Sequence, residues 1–149
     1  MDRSEIFNKY SPAGENLLAI LHELQNHSPQ NYLSDEDLKD VAKHFNTTLS
    51  HVYGIATYYT MFSVKPRGKH IIRVCNSVVC HLEGTEGIVA VLEEILGVKK
   101  GGTSSDGLFT LEMTECLGRC NEAPSMMVGA DVYGELTREK IVGIIGKYK

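Results

Sequence analysis

Apolar residues in the first part of the chain recur at helical spacing. Leu17, Leu18, Ile20, Leu21 and Leu24 put one apolar stripe on an amphipathic helix over residues 15–26. Ser28-Pro29 and Asn31 break it. Ser34 is a good N-cap, and Asp35, Glu36 and Asp37 fill a first turn where negative charge suits the helix dipole. Leu38, Val41, Ala42 and Phe45 give that second helix its buried stripe. After the turn Asn46-Thr47-Thr48, Ser50 is positioned to cap a third helix with Val52, Ile55, Ala56 and Tyr59 inward. Pro66-Arg67-Gly68 closes the region, so residues 1–68 read as an N-terminal helical bundle of three helices.

From residue 69 the period changes. Ile71, Ile72 and Val74 form a short β-branched strand that runs straight into Cys75. Residues 85–96 return to helical spacing, with Ile88, Val91, Leu92 and Ile95 on one face and Gly97 as the stop. Residues 98–107 are polar and glycine-rich, which predicts a flexible loop. Residues 108–113 alternate and predict a second strand. Residues 125–128 predict a third, and Val132-Tyr133 a fourth in hairpin with it across Gly129-Ala130-Asp131. Thr137 opens a last helix carrying Ile141, Val142, Ile144 and Ile145. The order β-α-β-β-α over residues 69–149 predicts a mixed four-stranded sheet with helices packed on it, the thioredoxin-like arrangement. The fold class is therefore α+β: a helical domain, 1–68, then a mixed-sheet domain, 69–149. Each cysteine pair follows the end of a strand, where loops converge at one edge of a sheet.

Composition narrows the partners. The 149 residues are 42% hydrophobic and 23% charged, enough to bury a core without disulfides. The net charge of −4 argues against nucleic acid, whose phosphates require a basic surface. No apolar run approaches the roughly 20 residues of a membrane span. The N-terminal residues have no apolar h-region, so no signal peptide and no membrane insertion are expected. A reducing, cytoplasmic setting makes four cysteines metal ligands or redox groups sooner than disulfides.

The spacing is Cys75-x4-Cys80, then Cys116-x3-Cys120 after a gap of 35 residues. A 2Fe–2S cluster needs four thiolates, two per iron, and two pairs on neighbouring loops supply them. Structural zinc also takes four cysteines, usually from tighter C-x2-C knuckles. The spacing also differs from the plant-type C-x4-C-x2-C pattern. His81 beside Cys80 raises a Rieske-type ligand, but adjacent residues do not easily reach one metal, so His81 reads as a loop residue. Gly118 inside the second pair, and Gly84 after the first, let backbone N–H groups point at sulfur and raise the potential. Glu83, Glu115 and Glu122 oppose them, because a reduced cluster carries one more negative charge. A low potential is expected.

The residues carry a resemblance. Cys75-Asn76-Ser77-Val78-Val79-Cys80 and Glu115-Cys116-Leu117-Gly118-Arg119-Cys120, followed by Asn121-Glu122-Ala123-Pro124, resemble the thioredoxin-like 2Fe–2S subunit of NADH:quinone oxidoreductase (complex I). The same module occurs in NAD(P)-linked and bifurcating hydrogenases, transhydrogenases and formate dehydrogenases. Upstream, residues 52–62 with Lys65-Pro66 are similar to that family's helical segment. The chain departs from the family at Arg119, often a small apolar position, and at His81-Leu82-Glu83-Gly84. The resemblance implies one 2Fe–2S cluster on Cys75, Cys80, Cys116 and Cys120. It also implies a flavoprotein partner that holds FMN and NAD(P)H, further iron–sulfur subunits, and no catalytic site on this chain. Gly101-Gly102 sits in a polar linker, not in a strand-to-helix nucleotide loop.

Two other classes compete. An iron–sulfur redox-sensing regulator could use residues 38–60 as a helix-turn-helix, but residues 50–60 contain no Lys or Arg to meet phosphate or guanine. A thiol oxidoreductase needs an exposed C-x-x-C, and neither pair has that spacing.

Overall fold

The computed structural model describes residues 3–149. These divide into two compact units, with the division between Arg67 and Gly68.

The first unit is helical. It comprises α1 (Arg3–Lys9), a 3-10 turn (Gly14–Asn16), α2 (Leu17–His27), α3 (Asp35–His44) and α4 (Leu49–Tyr58). Ile20, Leu21, Val41 and Val52 are at or near zero exposure in its centre, with Ile6, Leu24, Leu33, Leu38 and Phe62 around them. The Ser34 cap forms as a full capping box with Asp37. Helix α1 was not expected: seven residues with Ile6 as the buried anchor are too short to show a period. Helix α4 starts earlier than Ser50, because Thr48 caps it by accepting from the His51 N–H at 3.2 Å. Tyr59 corrects another expectation. The helix ends at Tyr58, Tyr59 turns extended, and its ring loses the inward phase and is 37% exposed. Gln25 ties the unit's end to its middle: its side chain donates to Met61 O and accepts from the Ser63 N–H.

The second unit runs β1 (His70–Cys75), α5 (Val78–Leu82), α6 (Thr85–Leu96), β2 (Phe109–Thr114), a 3-10 turn (Cys120–Glu122), β3 (Met126–Val128), β4 (Asp131–Tyr133) and α7 (Arg138–Gly146). The sheet order is β2-β1-β3-β4. β1 and β2 are parallel, in register from His70 opposite Phe109 to Cys75 opposite Thr114, with α5 and α6 in the crossover. β3 lies antiparallel to β1, and β4 antiparallel to β3. Ile72, Val74, Leu111 and Met126 share one face of the sheet, and α6 and α7 cover it with Leu92, Ile141 and Ile145. Arg73 and Glu112 pair across the other face at 3.3 Å.

The linker 98–107, expected as a flexible loop, folds back on β2. Gly101 N–H donates to Leu111 O, Leu111 N–H to Gly102 O, and Thr103 bridges Thr110. Among the described residues no helix is long and apolar enough to cross a membrane.

Candidate metal centre

The first cysteine pair is built by the end of β1. Cys75 closes that strand at 1% exposure. Its N–H donates to Ser125 O, and the next N–H, of Asn76, donates to Thr114 O, so the strand's exit is pinned to both neighbours. The chain then enters α5, a helix the sequence pattern missed because five residues are too few to show a period. The helix turns Cys80 inward to 2% exposure and leaves Val78 and Leu82 facing out at 74% and 78%. His81 therefore lies on a helix rather than in a loop, and is exposed where Cys80 is buried. The buried Thr85 hydroxyl donates to Cys75 O at 2.9 Å and fixes the start of α6 to the end of β1.

The second pair follows β2. Cys116 and Cys120 are exposed, with their sulfurs 3.8 Å apart. Gly118 sits between them in the left-handed region, φ 75°, which a side chain would resist. There its N–H points at Cys116 Sγ over 3.4 Å. This is the role expected of Gly118, whereas Gly84, expected to do the same, donates its N–H to the His81 carbonyl and stands at the start of α6.

The electrostatics join the two pairs. Burial pushes the Cys75 thiol up. The backbone N–H groups of Ser77 and Leu117, followed by the Cys80 thiol and the Ser77 hydroxyl, outweigh that and hold it below the ordinary thiol value. Leu117 belongs to the second loop, so the second loop stabilises charge on the first pair. Cys120 moves the other way. Its contact with the Cys116 sulfur and the charge there push it up first. Burial follows, and the charges of Cys80 and Cys75 add to it. The Cys80 and Cys75 sulfurs of the first pair thus act on Cys120 of the second, and the amide of Leu117 in the second loop acts on Cys75 of the first.

Among the described residues no three His, Cys, Asp or Glu side chains close on a single ion. Two pairs, each able to hold one iron of a two-iron cluster, are a different demand. The donor set fits that demand, with thiols alone and backbone N–H groups aimed at sulfur.

Of the expected tuning carboxylates, Glu83 and Glu115 are exposed, and Glu122 is held by Arg119 at 2.5 Å. Two contributors had no sequence signal. Ser125 places its hydroxyl 3.5 Å from Cys80 Sγ, a partner 45 residues away. Gly134 faces Glu122 so closely that an added Cβ would stand 2.5 Å from the Glu122 Cβ.

Comparison with known proteins gives the family. Residues 3–149 match the thioredoxin-like [2Fe-2S] ferredoxin family. The chain is 38% identical over 144 residues to a subunit of the NADH-quinone oxidoreductase of Aquifex aeolicus (strain VF5), covering 97% of this chain and 89% of that one. It is 36% identical over 132 residues to HndA, a subunit of the NADP-reducing hydrogenase of Solidesulfovibrio fructosivorans, covering 89% and 76%. The structure of an NAD+-reducing [NiFe]-hydrogenase in the air-oxidized state superposes with a TM-score of 0.78 at 22% identity, covering 89% of this chain and 22% of that chain. That likeness carries the fold alone.

Proposed function

Since the chain belongs to the thioredoxin-like [2Fe-2S] ferredoxin family, we propose that it is an electron-transfer subunit holding one 2Fe–2S cluster on Cys75, Cys80, Cys116 and Cys120. The observation that carries this is the convergence of two buried thiols, at the end of β1 and on α5, with two exposed thiols after β2, the Leu117 amide beside the second pair serving Cys75 of the first. When bound, such a cluster takes up and gives back one electron. The chain's own residues fix the ligands. Ser125 and Thr85 hold the backbone at Cys75, α5 turns Cys80 inward, and Gly118 aims its N–H at Cys116.

The flavin and nucleotide belong, on this reading, to a partner: a flavoprotein subunit carrying FMN and NAD(P)H, within a complex that has further iron–sulfur subunits. The names of the relatives, one from an NADH-quinone oxidoreductase and one from an NADP-reducing hydrogenase, support it. So does the use of Gly101 and Gly102 in a turn against β2, away from any helix N-terminus that would cradle phosphate. The exposed side of α4 shows Leu49, Tyr53 and Tyr58, the residue types of a protein interface, and no cation for a nucleic-acid backbone. We place the docking of the flavoprotein there.

The test is composition and spectroscopy of the purified chain. It should carry about two irons and two sulfides and give an EPR signal only after reduction. Stoichiometric zinc without sulfide would overturn the assignment.

A further inference from the structure

Ser125 stands just before β3, is 1% exposed, and touches both ligands of the first pair. Its carbonyl accepts from the Cys75 N–H at 3.0 Å. Its hydroxyl lies 3.5 Å from Cys80 Sγ. Between a hydroxyl and a thiol either group can donate. Once Cys80 holds iron it is a thiolate with no proton, so only the hydroxyl can donate. The bond's direction is then set by chemistry. Its burial matters as well, because a hydroxyl shielded from water has no solvent partner to take in exchange.

Hydrogen bonds to cluster sulfurs are among the factors that set the reduction potential. Reduction adds one electron and so one negative charge. A donor aimed at a ligand sulfur favours the state with more charge on that sulfur. We propose that Ser125 is a tuning residue of this centre, its hydroxyl donating to Cys80 Sγ and holding the potential up. The proposal rests on the assignment of Cys80 as a ligand. It also gives Ser125 two separable tasks. The carbonyl orders the backbone at Cys75, and any residue supplies that. The hydroxyl acts on sulfur, and Ala removes it alone.

The experiment uses the full chain as wild type, Ser125→Ala and Ser125→Thr, each titrated under EPR with dithionite as the one-electron reductant. Ser125→Ala keeps the carbonyl and nearly the same volume, so the fold and the cluster should remain. Its reduction equilibrium should fall about tenfold, which for one electron is a potential lower by about 59 mV. An exchangeable-proton coupling, read by pulsed EPR in heavy against ordinary water, should be lost with it. Ser125→Thr retains the hydroxyl and should stay near wild type in both readouts. A purely structural role would change stability and leave potential and coupling alone, and that result overturns the proposal. Should Ser125→Ala yield no cluster, Ser125→Thr decides: wild-type potential and coupling support the hydroxyl's role, and loss of the cluster there as well overturns it. A wild type with no iron or sulfide sinks the ligand assignment and this inference together. Iron and sulfide in place, with Ser125→Ala unchanged, sinks this inference only.

Discussion

Gly134→Ala is the substitution whose cost can be worked most directly from the structure. The added Cβ would lie 2.5 Å from the Glu122 Cβ, 2.7 Å from Glu122 O and 2.8 Å from Glu122 Oε2. Ordinary carbon contacts settle near 3.5–4.0 Å, so one side must retreat by roughly 1 Å. The carboxylate can swing away, but the Cβ and the carbonyl can move only with the backbone. On the Gly134 side, Glu135 N–H donates to Glu122 O at 2.6 Å, Leu136 N–H to Pro124 O at 3.3 Å, and Leu136 is buried in the core. The yielding side is therefore the exposed turn Cys120–Glu122, which begins with a proposed ligand. Functional constellations tolerate only about 0.5 Å of displacement. Overpacking of this kind costs about 1–3 kcal/mol. At about 1.4 kcal/mol per factor of ten, cluster retention should weaken roughly tenfold or more.

The assay is loss of visible absorbance under a strong iron chelator, with Gly143→Ala as the matched control. Gly143 lies in α7 with nothing within 4 Å of an added Cβ, so its variant should release iron at the wild-type rate. Gly134→Ala should release iron about tenfold faster. Equal rates in the two variants would mean that the turn absorbs the methyl without moving Cys120, and the positional argument would be wrong.

Three further outcomes are expected. Cys75→Ala, Cys80→Ala, Cys116→Ala and Cys120→Ala should each lose the cluster while His81→Ala keeps it, as read by iron and sulfide content; the reverse pattern for any residue would redraw the ligand set. Glu122→Gln removes a carboxylate and frees Arg119, so both changes should raise the midpoint potential, and the rise should shrink in high salt because the pair is part-exposed; an unmoved potential would show that the pair's charges already cancel at the cluster. Tyr58→Ala with Tyr53→Ala, at 79% and 46% exposure, should leave the cluster spectrum and stability nearly unchanged yet weaken capture of the flavoprotein partner by tenfold or more; undiminished capture would move the interface elsewhere.

What the sequence revealed and what it hid follow from range. α6 was legible to the residue because Gly97, at φ 65°, marks its end and its apolar face repeats over three turns. The α3 cap was legible because Ser34 and Asp37 are three residues apart. The mixed sheet followed from the order of periods along the chain. Helices α1 and α5 were hidden because a single buried residue, Ile6 or Cys80, defines no period. The linker 98–107 looked loose because its order comes from backbone bonds to β2, and the residue types that make loops polar do not reveal where their N–H groups go.

The cysteines were legible for a related reason. A thiol's chemistry belongs to its residue type, and the spacing of two pairs is a local fact. What arranges them is not local. Cys75 is held by Ser125, Cys80 is met by the same serine's hydroxyl, and Cys75 receives an amide from Leu117. Neither Ser125 nor Leu117 lies in the pair it serves. The sheet makes this possible. Parallel β1 and β2 end side by side at Cys75 and Thr114, and antiparallel β3 begins at that same edge just after Ser125. Two strand exits and one strand entry are brought within hydrogen-bond reach by a register that Ile72, Val74 and Leu111 fix from the core side. A one-residue slip of β1 would take Ile72 and Val74 off the core face and turn Cys75 to the opposite side of the sheet. The apolar pattern that folds this unit is thereby the same pattern that sets the geometry of its thiols.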